Sequence, residues 1–320
     1  MIRASAPGKL FLAGEYSVLL PEHSCVVAAI DRRVEVEAHP AAAWSARAGE
    51  ARWSEGEPVP GGLRFVVAAI EAVRARLGGT ARALSTHDGL TRDGRKLGLG
   101  ASAAATIAAT FAAADGSGAS RTALWAIADE AHRRVQGGRG SGADVAAAFH
   151  GGVLAFRREP RRARVLPVDP EVRLFAVFTG ESANTVPRVE RFDAFARAEP
   201  EQARLFATTS EVAVQTLESA LAAGDLTLMR AAIGQARAAL RGLEEALGLE
   251  IETERLALAS DVAWRAGAAG KLSGSGGGDC AVVLAVGDDS ATRVARALAA
   301  AGFEPVPLAV AKEGVVVERG

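Results

Sequence analysis

The chain has 320 residues, of which 49% are hydrophobic and 23% charged. That is the composition of a globular protein with a sizeable core, and it excludes disorder as the main state. With 37 basic and 38 acidic side chains the formal charge is −1, which argues against general affinity for nucleic acid or anionic lipid but leaves room for a local basic pocket.

The length suggests two domains. Two cysteines, Cys25 and Cys280, are too few for a disulfide scaffold, so a reducing cytoplasm is the simpler expectation. The segment Met1–Ser5 lacks the apolar core of a signal peptide, and no apolar run reaches the roughly 18 residues that span a bilayer. A cytoplasmic protein without nucleic-acid or membrane partners is expected, as a monomer or homodimer.

Residues 1–37 alternate apolar runs with turns and read as β-strands, and residues 40–60, with Trp44 and Trp53, as a variable loop or hairpin. Leu63–Leu77 places Phe65, Val66, Ala69, Ile70, Val73 and Leu77 on one helical face and stops at Gly78-Gly79. A strand is expected over Ala81–Thr86, and helices over Ala101–Ala114, Arg121–Val135 and Ala143–Phe149. Val153–Phe156, Ala163–Pro167 and Arg173–Phe178 read as strands. From about Pro187 to Trp264 the pattern is mostly helical, with Asp225 as an N-cap and Leu240, Leu243 and Leu247 at helical spacing. Strands at Ala281–Val286, Gly302–Leu308 and Val315–Glu318 then surround a helix at Ala291–Ala300. Strands, then helices, then strands predict an α+β protein of two lobes that divide near 180–190.

Three glycine-rich loops punctuate this pattern. Lys96-Leu97-Gly98-Leu99-Gly100-Ala101-Ser102 opens a helix, so bare backbone amides and the positive helix end could enclose an anion, with the Ser102 hydroxyl suited to Mg²⁺ or a phosphate oxygen. A plain tight turn would look similar, and the loop is not a Walker A motif. Gly270–Cys280 carries five glycines, more than a hairpin needs, which favours close backbone approach to a ligand over a linker. Gly137–Gly142 precedes Asp144, which is either a first-turn acid favoured by the helix dipole or an acid set at a reacting centre. Near the N-terminus, Lys9 interrupts a strand pattern as an edge-strand charge could, but Glu15 and Tyr16 follow it closely and make the segment polar for a core hairpin.

Taken together and in this order, Pro7–Tyr16, Gly98–Ala104 and Ser273–Cys280 resemble the three motifs of the GHMP kinase superfamily, across nearly the whole chain. Within it the chain is most similar to the phosphomevalonate kinase branch, through Gly14-Glu15-Tyr16, Lys96 before Gly98-Leu99-Gly100, Gly140-Ser141-Gly142-Ala143-Asp144, Thr179–Thr185 and Gly276-Gly277-Gly278-Asp279-Cys280. Two segments depart from it. Ala101 stands where a first Ser is usual, and Glu181-Ser182 lacks a Ser-Pro and adds a negative charge near a site for an anionic substrate.

The resemblance implies an N-terminal ribosomal-protein-like α+β domain with a left-handed βαβ unit over 1–183, and a ferredoxin-like domain over 184–320. It implies ATP-dependent phosphorylation of phosphomevalonate to diphosphomevalonate, with Mg²⁺, in isoprenoid precursor synthesis. The alternative is mevalonate or another alcohol as acceptor. On this basis Lys9, Lys96 and Asp144 are the expected catalytic groups, Asp144 either orienting Lys9 or acting as base. Lys96, Gly98, Leu99, Gly100, Ala101, Ser102 and Ala103 would hold ATP, with Ser102 on Mg²⁺. Lys9, Glu15, Tyr16, Ser141, Gly142, Asp144, Ser182, Thr185 and Gly276–Gly278 would face the acceptor. Arg139 is a weaker candidate for a substrate phosphate and Glu130 for a second metal ligand. Arg133, Arg134 and His132 read as ordinary helix surface.

Overall fold

The computed structural model describes residues 1–92, 95–181 and 185–320; the side chains of Arg92, Arg95 and Lys96 lie outside that description. The alternating runs at the N-terminus form β1 (Ile2–Ala13) and β2 (Ser24–Pro40), paired antiparallel from Ile2 opposite Ala38 to Ala13 opposite Val26. The register shifts between Pro7 and Gly8. There Asp31 leaves the ladder and its amide donates to the Ala309 carbonyl at 2.9 Å. Such a bulge bends a strand locally and re-aims the side chains beyond it, in this case Lys9.

A hairpin of β3 (Ser45–Ala48) and β4 (Ala51–Ser54) buries Trp44 and Trp53, and α1 (Arg64–Leu77) leads into β5 (Arg82–Asp88), which pairs with β2 and, in parallel, with β3. A short ribbon of β6 (Thr91–Arg92) and β7 (Arg95–Lys96) precedes three helices, α2 (Ala101–Ala113), α3 (Arg121–Val135) and α4 (Ala143–His150). Next come β8 (Val153–Arg157) on the first half of β2, β9 (Arg162–Leu166) beside it, and β10 (Val172–Phe178). The helical stretch divides into α5 (Thr185–Ala198), α6 (Pro200–Ala223), α7 (Leu226–Leu247) and α8 (Glu254–Arg265). The chain closes with β11 (Ala269–Leu272), β12 (Cys280–Val286), α9 (Asp288–Ala300), β13 (Pro305–Leu308) and β14 (Val316–Arg319).

The caps follow from local chemistry. The Ser120 hydroxyl accepts the Ala123 amide at the start of α3, and the Asp225 carboxylate accepts the Leu228 amide at 3.0 Å at the start of α7. In α2 the buried Thr106 and Thr110 hydroxyls each donate to a carbonyl one turn back at 2.8 Å, so a nearly all-alanine helix carries no orphaned hydroxyl there.

The first sheet runs β14-β1-β2-β5-β3-β4, with β8 and β9 branching from β2; the second runs β11-β12-β10-β13 and is antiparallel throughout. Helices α1 to α4 cover the first sheet around Leu10, Leu12, Ile30, Ile70 and Ile107. The second core joins Leu240, Leu243, Leu247, Val283, Val294 and Leu298. Each fully buried aliphatic side chain of this kind contributes about 1.5–3 kcal/mol. The architecture is α+β in two layered units, as expected.

Hydrogen bonding connects the units more closely than a single cut at 183/184 implies. By pairing, β10 belongs to the second sheet and the terminal β14 returns to the first, alongside β1. The strand expected over Gly302–Leu308 is shorter, at Pro305–Leu308, and β11 lies inside what reads as a glycine-rich loop.

Candidate active site

A cleft of about 260 Å³ opens where β1, the turn before α2, the turn before α4, the start of α5 and the β11–β12 loop meet. The turn before α2 is shaped by two glycines. Gly98 (φ +68°) and Gly100 (φ +82°) hold left-handed backbone. A Cβ on Gly98 would come within 2.6 Å of Asp279 Cβ, and one on Gly100 within 2.7 Å of Lys9 Cγ. The turn therefore presses backbone against both neighbouring motifs. Among the described residues no side chain caps α2 and no acid sits in its first turn, which leaves its leading amides for an anion.

Lys9 is fixed to this turn twice. Its amide donates to the Leu99 carbonyl at 2.7 Å and its Nζ to the Gly98 carbonyl at 3.0 Å. Two residues on, the Phe11 amide donates to Ser273 Oγ at 2.9 Å and Ser273 Oγ donates back to the Phe11 carbonyl at 3.0 Å, joining β1 to the third loop. Glu15 and Lys271 form a fully buried ion pair beneath that loop, and Glu15 Oε1 also lies 3.4 Å from the Gly274 amide. Tyr16 (φ +62°) packs its ring on Phe192 and donates its hydroxyl to the Ser275 carbonyl at 2.6 Å. Burial pushes its phenol up to about 12, against the opposing pull of Arg188. Ser275 Oγ in turn donates to Thr185 Oγ1 at 3.1 Å.

Elsewhere on the lining Ser102 and Asp144 meet at a shared neighbour. His132 Nε2 lies 3.2 Å from Ser102 Oγ and 3.8 Å from Asp144 Oδ2. Asp144 Oδ1 accepts the Val145 amide at 2.9 Å and its side chain keeps 20% exposure, toward the cleft it lines. His132 is not helix surface: it is 1% exposed and stacks on Phe65 at 5.0 Å. The signal was present in the sequence, because Leu124, Ala128 and His132 recur every four residues on the buried face of α3.

The structure brings Lys9, Glu15, Tyr16, Gly98, Leu99, Gly100, Ala101, Ser102, Ser141, Asp144 and Thr185 onto one cleft. Several expected residues are elsewhere. Ala103 is fully buried within α2. Gly142 sits behind the wall, where a Cβ would come within 2.8 Å of Asp129 Oδ1. Gly276–Gly278 do not line the cleft because the loop packs on Ile251, Arg188 and Glu181, and the Gly277 amide is already bonded to the Ile251 carbonyl at 2.8 Å. Ser273, Gly274, Ser275 and Asp279 line the cleft in their place. The Lys96 side chain and Ser182 lie outside the described residues. Glu130 is paired with Arg76 on the far side of α3, Arg134 with Glu71, and Arg139 with Glu190 at 3.1 Å. Glu181 turns to Thr253, whose hydroxyl donates to it at 3.1 Å, and does not line the cleft.

Among the described residues no three His, Cys, Asp or Glu side chains gather as a metal site. Mg²⁺ carried mainly by phosphate oxygens needs only one or two protein ligands. Ser102 and Asp144 on one cleft, beside an uncapped helix start, fit that requirement.

This geometry defines a cleft between two α+β units, lined by a glycine turn, a helix start and a lysine. Residues 64–152 match the GHMP kinases N terminal domain, and residues 217–304 match the GHMP kinases C terminal domain. A phosphomevalonate kinase from Streptomyces sp. (strain CL190) is 32% identical over 97% of both chains, and a mevalonate kinase from Aeropyrum pernix is 31% identical over 88% of both. Among solved structures, a Lin0012 protein from Listeria innocua superposes with a TM-score of 0.91 at 24% identity, covering 100% of this chain and 99% of that one. Streptococcus pneumoniae phosphomevalonate kinase in complex with phosphomevalonate and AMPPNP superposes with a TM-score of 0.83 at 20% identity, covering 97% and 100%. The chain belongs to the GHMP kinases.

Proposed function

We propose that this chain transfers the terminal phosphoryl group of ATP to the phosphate of phosphomevalonate, releasing diphosphomevalonate and ADP. One observation carries the proposal: Lys9 is clamped to the Gly98 carbonyl between the uncapped start of α2 and the third loop. Full-length similarity to a phosphomevalonate kinase supports the choice of acceptor.

Bound there with Mg²⁺, ATP supplies a phosphoryl group whose charge is partly neutralised by the metal. The turn at Gly98 and Gly100 and the first amides of α2 would hold its phosphates, and Ser102 would offer a hydroxyl oxygen to the metal. The Lys9 ammonium offsets the repulsion between two anions and stabilises charge as it develops. The carbonyl it touches fixes its position without neutralising it. The buried Lys271 takes up the charge of Glu15, so that carboxylate does not repel an incoming phosphate. Asp144 sets a carboxylate on the same cleft, where it could serve as a base. A phosphate monoester, with a second pKa of roughly 6, is already largely dianionic near neutrality and needs little from that base.

A second reading, an alcohol acceptor such as mevalonate, is favoured by the Aeropyrum relative and by the opening of Asp144 to the cleft. A panel of acceptors with coupled detection of ADP separates the two. Turnover with phosphomevalonate well above that with mevalonate is expected. The reverse preference installs the alcohol reading, and no ADP with any acceptor overturns both.

The same proposal sets the protein in the cytoplasm, as a monomer or homodimer. Its two cysteines are buried free thiols. Among the described residues no helix is long and apolar enough to cross a membrane.

A further inference from the structure

We infer that His132 is a positioning residue that sets Ser102 and Asp144 relative to one another, so that one imidazole nitrogen governs both a phosphate-side hydroxyl and the acceptor-side carboxylate. The inference rests on the kinase reading above and adds a residue to it.

Three observations carry it. His132 lies on α3, while Ser102 begins α2 and Asp144 begins α4, so α3 supplies a side chain that stands beside both polar groups. The ring cannot drift: it is 1% exposed and stacked on Phe65 of α1 at 5.0 Å. Nε2 is 3.2 Å from Ser102 Oγ, within hydrogen-bond reach, and 3.8 Å from Asp144 Oδ2, beyond a direct hydrogen bond.

The chemistry follows from the inventory of the hydroxyl. A Ser102 O–H that donates to Nε2 turns its lone pairs away from the ring, where a metal ion or a phosphate proton can use them. With Nε2 protonated instead, the ring donates to Ser102 and draws the Asp144 carboxylate toward the same point. Either tautomer fixes the hydroxyl; the Nε2–H form also attracts the carboxylate, and the buried ring bounds its travel on that side in both. Partners behind metal ligands and catalytic carboxylates act in this way, and their loss costs roughly 10–100-fold in metal affinity or activity.

The test compares His132→Phe, which keeps an aromatic ring against Phe65 but has no nitrogen, with His132→Gln, whose amide reaches toward the Nε2 position. Melting curves first establish that both variants fold. Titration calorimetry with a non-hydrolysable ATP analogue at graded Mg²⁺ then reads the hydroxyl side without turnover, and kcat and KM for phosphomevalonate read the carboxylate side. His132→Phe is expected to need about tenfold more Mg²⁺ for the same nucleotide affinity and to lose roughly 10–100-fold in kcat, with KM for the acceptor changed less than threefold and with partial recovery in His132→Gln. Folded His132→Phe with wild-type Mg²⁺ dependence and wild-type kcat overturns the inference. So does a loss confined to KM, or a loss that tracks a lowered melting temperature and is equal in both variants. A wild-type chain that binds Mg²⁺–nucleotide but phosphorylates no acceptor fails the proposed function instead, and the calorimetric comparison still decides His132.

Discussion

Lys271 and Glu15 meet as an ion pair with 0% and 3% side-chain exposure, one from the strand that leads into the third glycine loop and the other from the end of the first motif. Two charges out of water are stable only while both remain. The pair thus holds together segments 256 residues apart in sequence, and the cleft lies at their junction. Lys271→Met is expected to leave the Glu15 carboxylate stranded and to cost about 3–5 kcal/mol of stability. Adding Glu15→Gln should recover most of that loss. Urea unfolding of the single and double variants measures both, and a double variant no more stable than the single would show that the pairing is not the cause.

Gly100 must keep left-handed backbone while Lys9 Cγ lies 2.7 Å from where a Cβ would stand. Gly100→Ala is expected to cost about 1–2 kcal/mol in backbone strain. It should also push the Lys9 stem aside, and a displacement of about 1 Å near the reacting groups lowers activity by roughly 10²-fold. Steady-state kinetics with a parallel melting curve would show an activity loss far larger than the stability loss accounts for.

Tyr16 is the only tyrosine in the chain, so its ionisation can be followed directly by phenolate absorbance. Burial pushes it up to about 12 from its ordinary value of 10.0. The folded state holds this proton more tightly than the unfolded state, so the stability it contributes is complete below about pH 10 and is lost as the pH rises toward 12. Cys280, pushed up to about 12 by burial, and Cys25, pushed up by burial as well, act in the same direction from about pH 9. The absorbance midpoint is expected near pH 12 in the folded protein and near 10 in urea. Coincident midpoints would mean that the phenol is solvated in the native state.

Asp144 separates the two acceptor classes. A phosphate acceptor arrives already ionised, so Asp144→Asn should lower kcat by less than about 10²-fold, whereas an alcohol that must lose a proton depends on a general base worth roughly 10²–10⁴-fold. Kinetics of this variant with the preferred acceptor therefore check the assignment from the enzyme side. A loss near the upper figure would favour the alcohol reading.

Much of this was legible in the sequence because it is local. Helix α3 falls on the residues its periodicity indicates, and Asp225 caps α7 as its spacing suggests. The glycine turn before α2 is local too, and its neighbours Lys9, Ser102 and Asp144 share one cleft. What was not legible depends on partners distant in the chain. Strand β11 hides inside a glycine-rich run because Gly270 and Lys271 read as loop, and Lys271 becomes tolerable in a buried strand only through Glu15. No local pattern could place β14 beside β1, or β10 in the second sheet, because long-range pairing decides both. The third loop contributes Ser273–Ser275 instead of Gly276–Gly278 because Ile251, Arg188 and Glu181 occupy the space beside those glycines. His132 was visible on the apolar stripe of α3, yet a polar residue type outweighed its position.

Lys9→Met removes the ammonium while keeping the length and apolar character of the stem, and Lys9 is only partly buried, so the fold should survive. The decisive measurement is kcat of this variant for ADP release with phosphomevalonate, taken beside its melting temperature. If Lys9 carries charge between the two phosphates, kcat falls by about 10²–10³-fold or more with the melting temperature nearly unchanged. A folded Lys9→Met protein that turns over at close to the wild-type rate would contradict it.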